Sequence, residues 1–313
     1  MIRGYLSALH PFLKMLIILG LAFFSFLIVS ILGVIVALLI FDSDVQGIMN
    51  ALQDYTNPEI MGILKYLQIL QSLGLFIIPS VILGILLFDN GMRGYGCIAT
   101  KVSGSVIAVG VLVYFGFPLV NLLADWNSNL KLPPFLSGLE EAIRNMEDNA
   151  ALLTDAFLQT TTVRGFLVNM VMIAILPAIG EELFFRGLIQ KQFIQWTRKP
   201  WMGIILASAF FSFLHMQFYG FVPRFYLGII FGLIYYWSGS IWLPILAHFL
   251  NNGTAVVIYF IFGIDAVESK FDSIGTTRGN WPILVISVLM IMSAMWYFWR
   301  NAQLKSAHQI RDD

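Results

Sequence analysis

Apolar residues run almost without interruption through eight stretches of the chain, near 13–41, 67–88, 104–124, 166–189, 203–221, 223–239, 241–261 and 281–299. A helix needs about 20 mostly apolar residues to cross a bilayer, so each stretch predicts a membrane helix. Runs such as Leu75 to Leu87 lack the alternation of a barrel strand. Helices satisfy their backbone groups internally in lipid. The predicted fold is therefore all-α, a polytopic transmembrane helical bundle of about eight membrane helices.

The polar segments divide the chain into an N-terminal three-helix membrane region (1–124), an extramembrane loop (125–163), a helical core (164–299) and a tail (300–313). The loop contains Pro133 and Pro134, then an amphipathic run through Leu139, Ile143, Met146 and Leu153. That run predicts a surface helix lying along the membrane, against the alternative of a plain solvated connector. The first stretch follows Arg3, His10 and Lys14. It is too long for a signal-peptide core and ends at Asp42 and Asp44 without a small-residue cleavage site. It predicts a retained, tilted membrane helix.

Charge gives an orientation. Arg93, Lys101, Lys191, Arg198, Lys199 and the tail residues Arg300, Lys305 and Arg311 fall on one side of the predicted topology. The other side collects Asp42, Asp44, Asp54, Glu59, Glu140, Glu141, Glu147, Asp148, Asp155, Asp265, Glu268 and Asp272. The positive-inside rule makes the first side cytoplasmic and predicts both termini there.

Composition narrows the class. Hydrophobic residues make up 58% of the chain and charged residues 12%, far from the balance of a protein solvated mainly by water. The formal net charge is +0, so the basic surplus of nucleic-acid binders is missing and that class is excluded. Cys97 is the single cysteine. An intrachain disulfide framework and a C-x-x-C pair are thereby excluded.

Ionisable groups inside membrane helices are costly, so they are functional candidates by default. The fourth stretch holds Glu181, Glu182 and Arg186; the fifth holds His215; the seventh holds His248 and Asn252. Glu182 and Arg186 stand four apart with the acid first, the favourable order for a same-face ion pair. Successive helical residues are turned by roughly 100°, which points Glu181 at a different neighbour and leaves it free for chemistry. Pro177 removes a backbone hydrogen bond and Gly180 admits another backbone, so a kink is expected just before the acids. His248 and Asn252, also four apart, project from one face.

A desolvated glutamate beside an imidazole can deprotonate a water and direct it at a carbonyl. In that reading Glu181 and His215 activate the water, and His248 and Asn252 donate to the developing oxyanion. A second reading places zinc on Glu181, His215 and His248 with an open position. The absence of H-E-x-x-H weighs against it, and both readings stay open. The structural alternatives are an ion pair of Glu182 and Arg186 that only neutralises itself, interhelical hydrogen bonding by single histidines, and plain packing by Phe210, Phe211, Phe213 and Phe218.

Glu181-Glu182-Leu-Phe-Phe-Arg186, Phe211-Ser-Phe-Leu-His215 and His248-Phe-Leu-Asn-Asn252 resemble the three motifs of the CPBP family, the CAAX proteases and bacteriocin-processing enzymes also called Abi. The resemblance covers about 164–261. It implies a membrane-embedded protease in which Glu181 and His215 activate water, His248 and Asn252 stabilise the oxyanion, and Glu182, Arg186 and Phe211 support the site. It implies a peptide or membrane-protein substrate within the lipid bilayer. The family is usually labelled metalloprotease, and a metal-free glutamate mechanism has been argued for its eukaryotic members. The rivals from other classes are a proton-coupled transporter or channel using the same Glu and His residues and a non-catalytic membrane scaffold.

Overall fold

The computed structural model describes residues 3–41, 58–97, 102–264, 267, 271 and 273–312. Among the described residues the chain is helical, with no strand. The helices are α1 (Pro11–Ile40), α2 (Ile60–Leu87), α3 (Gly104–Ser128), α4 (Ser137–Leu158), α5 (Val163–Thr197), α6 (Pro200–Phe213), α7 (Phe221–Ser238), α8 (Trp242–Phe262) and α9 (Trp281–Leu304). Each of the eight apolar stretches becomes a helix. The amphipathic run in the long loop becomes α4. The acids and base at Asp42, Asp44, Asp54, Lys101, Asp265, Glu268 and Asp272, which contribute to the predicted orientation, lie outside the described residues.

Six of these helices, α1, α2, α3, α5, α8 and α9, are long and apolar enough to cross a membrane. The chain is a multi-pass membrane protein. With 14 residues, α6 reaches only about 21 Å, short of a hydrocarbon core of about 30 Å. Past its far end the chain enters the loop to α7. At the other extreme, α1 has 30 residues, about 45 Å of helix, and must tilt to match the bilayer. Its exposed face carries Phe23, Phe24, Ile28, Ile31, Ile35 and Leu39, an apolar strip suited to lipid.

Local sequence sets the helix ends. Pro11, Pro200 and Pro223 lie in the first turns of α1, α6 and α7, where a missing N–H costs nothing. α7 stops at Gly239, whose φ of 70° is left-handed, and the Gly239 N–H closes on the Tyr235 carbonyl.

Packing forms two principal apolar cores. One joins Ile18 and Ala22 of α1, Leu83 of α2, Phe184, Phe185 and Leu188 of α5, and Phe211 of α6. The other joins Val109 and Leu112 of α3, Phe231 and Ile234 of α7, Ala247 of α8 and Ile291 of α9. A third, smaller cluster packs Phe157 of α4 on Ile63 and Leu64 of α2 and Met172 of α5. Glu182 and Arg186 of α5 are buried, and the Arg186 guanidinium lies against Phe211 of the first core and Phe231 of the second.

Candidate active site

Two stretches of α5, Met170–Ile175 and Glu182–Gln190, wind as π-helix with wider turns than the flanking α-helix. Such stretches displace side chains from α-helical register, and they recur at functional sites. Pro177 falls between them, and the helix continues through it. Gly180 fulfils its expected role of close approach. A Cβ there would lie 3.0 Å from Phe76 Cβ and from Ile77 Cγ1 of α2.

Glu182 and Arg186 form the predicted pair, Nη1 to Oε1 at 2.8 Å, with side chains 0% and 2% exposed. The guanidinium has further partners. Its Nη2 donates to the Gly228 carbonyl at 3.2 Å, and its carbon lies 4.8 Å above the Phe211 ring and 5.5 Å from that of Phe231. One turn on, Gln190 Nε2 donates to the Gly232 carbonyl at 3.1 Å. Two donors four residues apart on α5 thus meet the carbonyls of two glycines four residues apart on α7. The sequence signal for this was Gly228-Ile-Ile-Phe-Gly232, a small-residue spacing that lets membrane helices approach closely.

The expectation that Glu181 and Glu182 serve different neighbours is corrected. Both carboxylates face His248. Its Nδ1 is 2.9 Å from Glu182 Oε1, and its Nε2 is 4.0 Å from Glu181 Oε2. The reason is the junction of α- and π-helix at Glu181 and Glu182, where the wider turn narrows the angle between successive side chains. Glu182 Oε1 thus takes both Arg186 and His248, while its buried Oε2 has no hydrogen-bond partner among the described residues. An ionised Glu182 accepts from Nδ1–H, which leaves Nε2 as the working nitrogen of His248, an acceptor in the neutral ring and a donor in the imidazolium.

His215 lies elsewhere than expected. It falls two residues beyond the end of α6 and is exposed, on the loop to α7 and not inside a membrane helix. Its Nδ1 meets the Phe211 carbonyl at 2.8 Å. The Phe211 ring stands edge-on between the two histidines, 4.8 Å from His215 and 6.4 Å from His248, and Phe231 stacks on His248 at 5.6 Å.

Asn252 has a partner that sequence reasoning missed. Its Nδ2 donates to the Ile173 carbonyl at 3.0 Å, and its Oδ1 accepts from Asn251 at 3.1 Å. Ile173 is four residues before Pro177, and a proline has no N–H to offer the carbonyl in that position. The signal was therefore Pro177 itself. One N–H of Asn252 is accounted for in this way.

Among the described residues no three His, Cys, Asp or Glu side chains converge closely enough to hold a metal ion. The predicted zinc set of Glu181, His215 and His248 does not fit one as arranged.

Comparison with known families bears on these same residues. Residues 163–254 match the family model of the type II CAAX prenyl endopeptidase Rce1-like proteins. This segment resembles that family. All seven motif residues, from Glu181 to Asn252, fall inside it, and the family is one of proteases. A protein of Bacillus subtilis (strain 168), "Uncharacterized protein YpbD", is 29% identical over 86 residues, covering 26% of this chain and 41% of that protein. The chain thus spans about two fifths of that relative's length. No solved structure matches.

Proposed function

We propose that the chain is an intramembrane endopeptidase that hydrolyses peptide bonds of a peptide or membrane-associated protein, with Glu181 as the base. The single observation that carries the reading is Glu181 Oε2 facing His248 Nε2 across 4.0 Å while the other nitrogen of that ring is fixed on Glu182. The gap is too long for a direct hydrogen bond and suits a water in contact with both groups.

In the proposed sequence Glu181 takes a proton from that water as its oxygen bonds to the substrate carbonyl carbon. The carbonyl oxygen becomes an oxyanion, for which the remaining Asn252 N–H and a protonated His248 Nε2 are the candidate donors. The proton then passes to the amide nitrogen, the C–N bond breaks as the oxyanion collapses, and a carboxylic acid, which then ionises, and an amine leave. His215, exposed beside Phe211, is assigned in this reading to bond the water or substrate through Nε2. Glu182 and Arg186 act as positioning residues by fixing the His248 ring.

Both termini are inferred to be cytoplasmic. Six helices long and apolar enough to cross would keep them on one side, and the basic residues Arg93, Lys191, Arg198, Lys199 and Arg300 favour the cytoplasm for that side. The test of the reading is hydrolysis of internally quenched peptides by the purified protein in detergent. Glu181→Gln preserves shape and removes the base, and a loss of roughly 10²- to 10⁴-fold in kcat is expected. Undiminished hydrolysis by that variant refutes the assignment.

A further inference from the structure

The loop that carries His215, residues 214–220, is held by bonds to the two helices it joins and also by two elements far away in sequence. The Asn127 side chain at the end of α3, 1% exposed, brackets it. Its Nδ2 donates to the Phe218 carbonyl at 3.1 Å and its Oδ1 accepts from the Val222 N–H at 2.7 Å. From the other side α4 reaches the same loop. Glu147 Oε1 accepts from the Tyr219 N–H at 2.8 Å, and the Arg144 guanidinium lies 4.0 Å over the Tyr219 ring. Tyr219 is 7% exposed, four residues from His215. Loops expose backbone N–H groups to water by default, so a carboxylate from a helix 72 residues away on this amide is a specific tether.

α4 is itself fastened at both ends. Near its start Glu140 accepts from the Leu132 N–H at 2.9 Å and pairs with Arg144 at 2.9 Å, and Arg144 also donates to the Leu130 carbonyl at 3.1 Å. At its finish Lys65 Nζ and Asn169 Nδ2 both donate to the Phe157 carbonyl, at 2.9 and 2.6 Å. The cation there also complements the negative end of the helix. A helix so anchored transmits position and does not drift with the membrane surface. The loop it holds adjoins the site: Arg224 Nη2 donates to Gln217 of the loop, and the Phe211 ring lies 4.8 Å from His215 and 6.4 Å from His248, which faces Glu181.

We propose that α4 is a positioning clamp for the active site, in which Glu147 and Arg144, acting through Tyr219, set where His215 stands relative to Glu181. Neither side chain needs to touch the substrate. Their effect is to keep the Met216 backbone, at a left-handed φ of 53°, and the His215 before it in one conformation. A non-glycine residue in that region is held there by its surroundings.

The inference rests on the hydrolytic reading, and its experiment has one arm that needs no turnover. Amide hydrogen exchange of the 214–220 segment is compared in wild type, Glu147→Ala and Glu147→Gln. Gln keeps an oxygen for the Tyr219 N–H and Ala does not. Faster exchange in Glu147→Ala alone is expected, with protection near wild type in Glu147→Gln. Unchanged protection in Glu147→Ala overturns the clamp, whatever the enzyme does.

The second arm measures quenched-peptide hydrolysis by the same three proteins. Loss of a hydrogen bond to a charged group predicts a fall in kcat of roughly 10- to 100-fold in Glu147→Ala, with KM nearly unchanged. Glu147→Gln is expected to recover most of kcat. A Glu147→Gln as impaired as Glu147→Ala, or an unimpaired Glu147→Ala, contradicts a positioning role. Should Glu147→Ala fail to fold, Tyr219→Ala, which keeps the N–H and removes the ring beneath Arg144, is read by the same two measurements. Should Glu181→Gln retain full activity while the exchange result stands, the hydrolytic reading fails and the tether remains.

Discussion

His248 meets Glu182 at 2.9 Å although 66 residues separate them, and the same carboxylate oxygen holds Arg186 at 2.8 Å. The imidazole is therefore oriented by an ion pair that is almost wholly excluded from solvent. A buried pair contributes little net stability, because desolvation offsets attraction, yet breaking it strands a charge. Its value here lies in orientation: it selects which nitrogen of His248 faces Glu181.

Arg186→Met is accordingly expected to destabilise the protein by about 3–5 kcal/mol. Glu182→Gln combined with Arg186→Met, which removes both charges, is expected to cost less than Arg186→Met alone. Thermal unfolding in detergent measures both. A double variant less stable than the single would show that the pair is held for its own attraction.

Asn252 is predicted to have two separable roles. Replacing it with Leu removes the donor to the Ile173 carbonyl and is expected to cost about 0.5–1.5 kcal/mol. Pro177→Ala restores an N–H four residues after Ile173, so the cost of Asn252→Leu should shrink in that background, by the logic of a double-mutant cycle. The activity lost with Asn252→Leu should not return. Recovery of activity along with stability would mean that Asn252 serves the helix alone.

The site was legible in sequence as a set of residues and not as a geometry. Insertion cost picked out Glu181, Glu182, Arg186 and His248 because few ionisable groups sit in apolar runs, and the i,i+4 rule paired Glu182 with Arg186. Helical spacing assumed an unbroken α-register, and the π stretch at Glu182–Gln190 brought both acids onto His248. Hydropathy carried the fifth stretch past Phe213, since Leu214, Met216 and Phe218 are as apolar as a helix interior, and so placed His215 inside a span. The tether from Glu147 to Tyr219 left no trace in the sequence, because its donor is a backbone N–H that every residue but proline possesses. The eight helices were readable because lipid imposes long apolar runs, whereas the shortness of α6 was hidden by its continuity with that loop.

The attachment of α4 should depend on pH. The Glu140 carboxyl is held below its ordinary value of 4.5, first by the Leu132 N–H and then by Arg144. Because the folded value is depressed, its contribution is fully present above about pH 4.5 and is lost as pH falls through the folded value. The difference in unfolding midpoint between wild type and Glu140→Gln is therefore expected to be largest near neutrality and to vanish in acid. A difference that grew on acidification would contradict this assignment.

Metal removal gives a further check. Glu181, His215 and His248 do not converge as a ligand set, so hydrolysis is expected to survive exhaustive dialysis against a chelator. Loss of activity that is restored only by zinc would return these three residues to the metal-site reading.

The most direct measurement is peptide hydrolysis in ¹⁸O-labelled water, with the products weighed by mass spectrometry. The account predicts one ¹⁸O atom in the new carboxyl group for wild type and next to no product for Glu181→Gln. Equal cleavage by the two proteins, or products without the label, would contradict a water activated at Glu181.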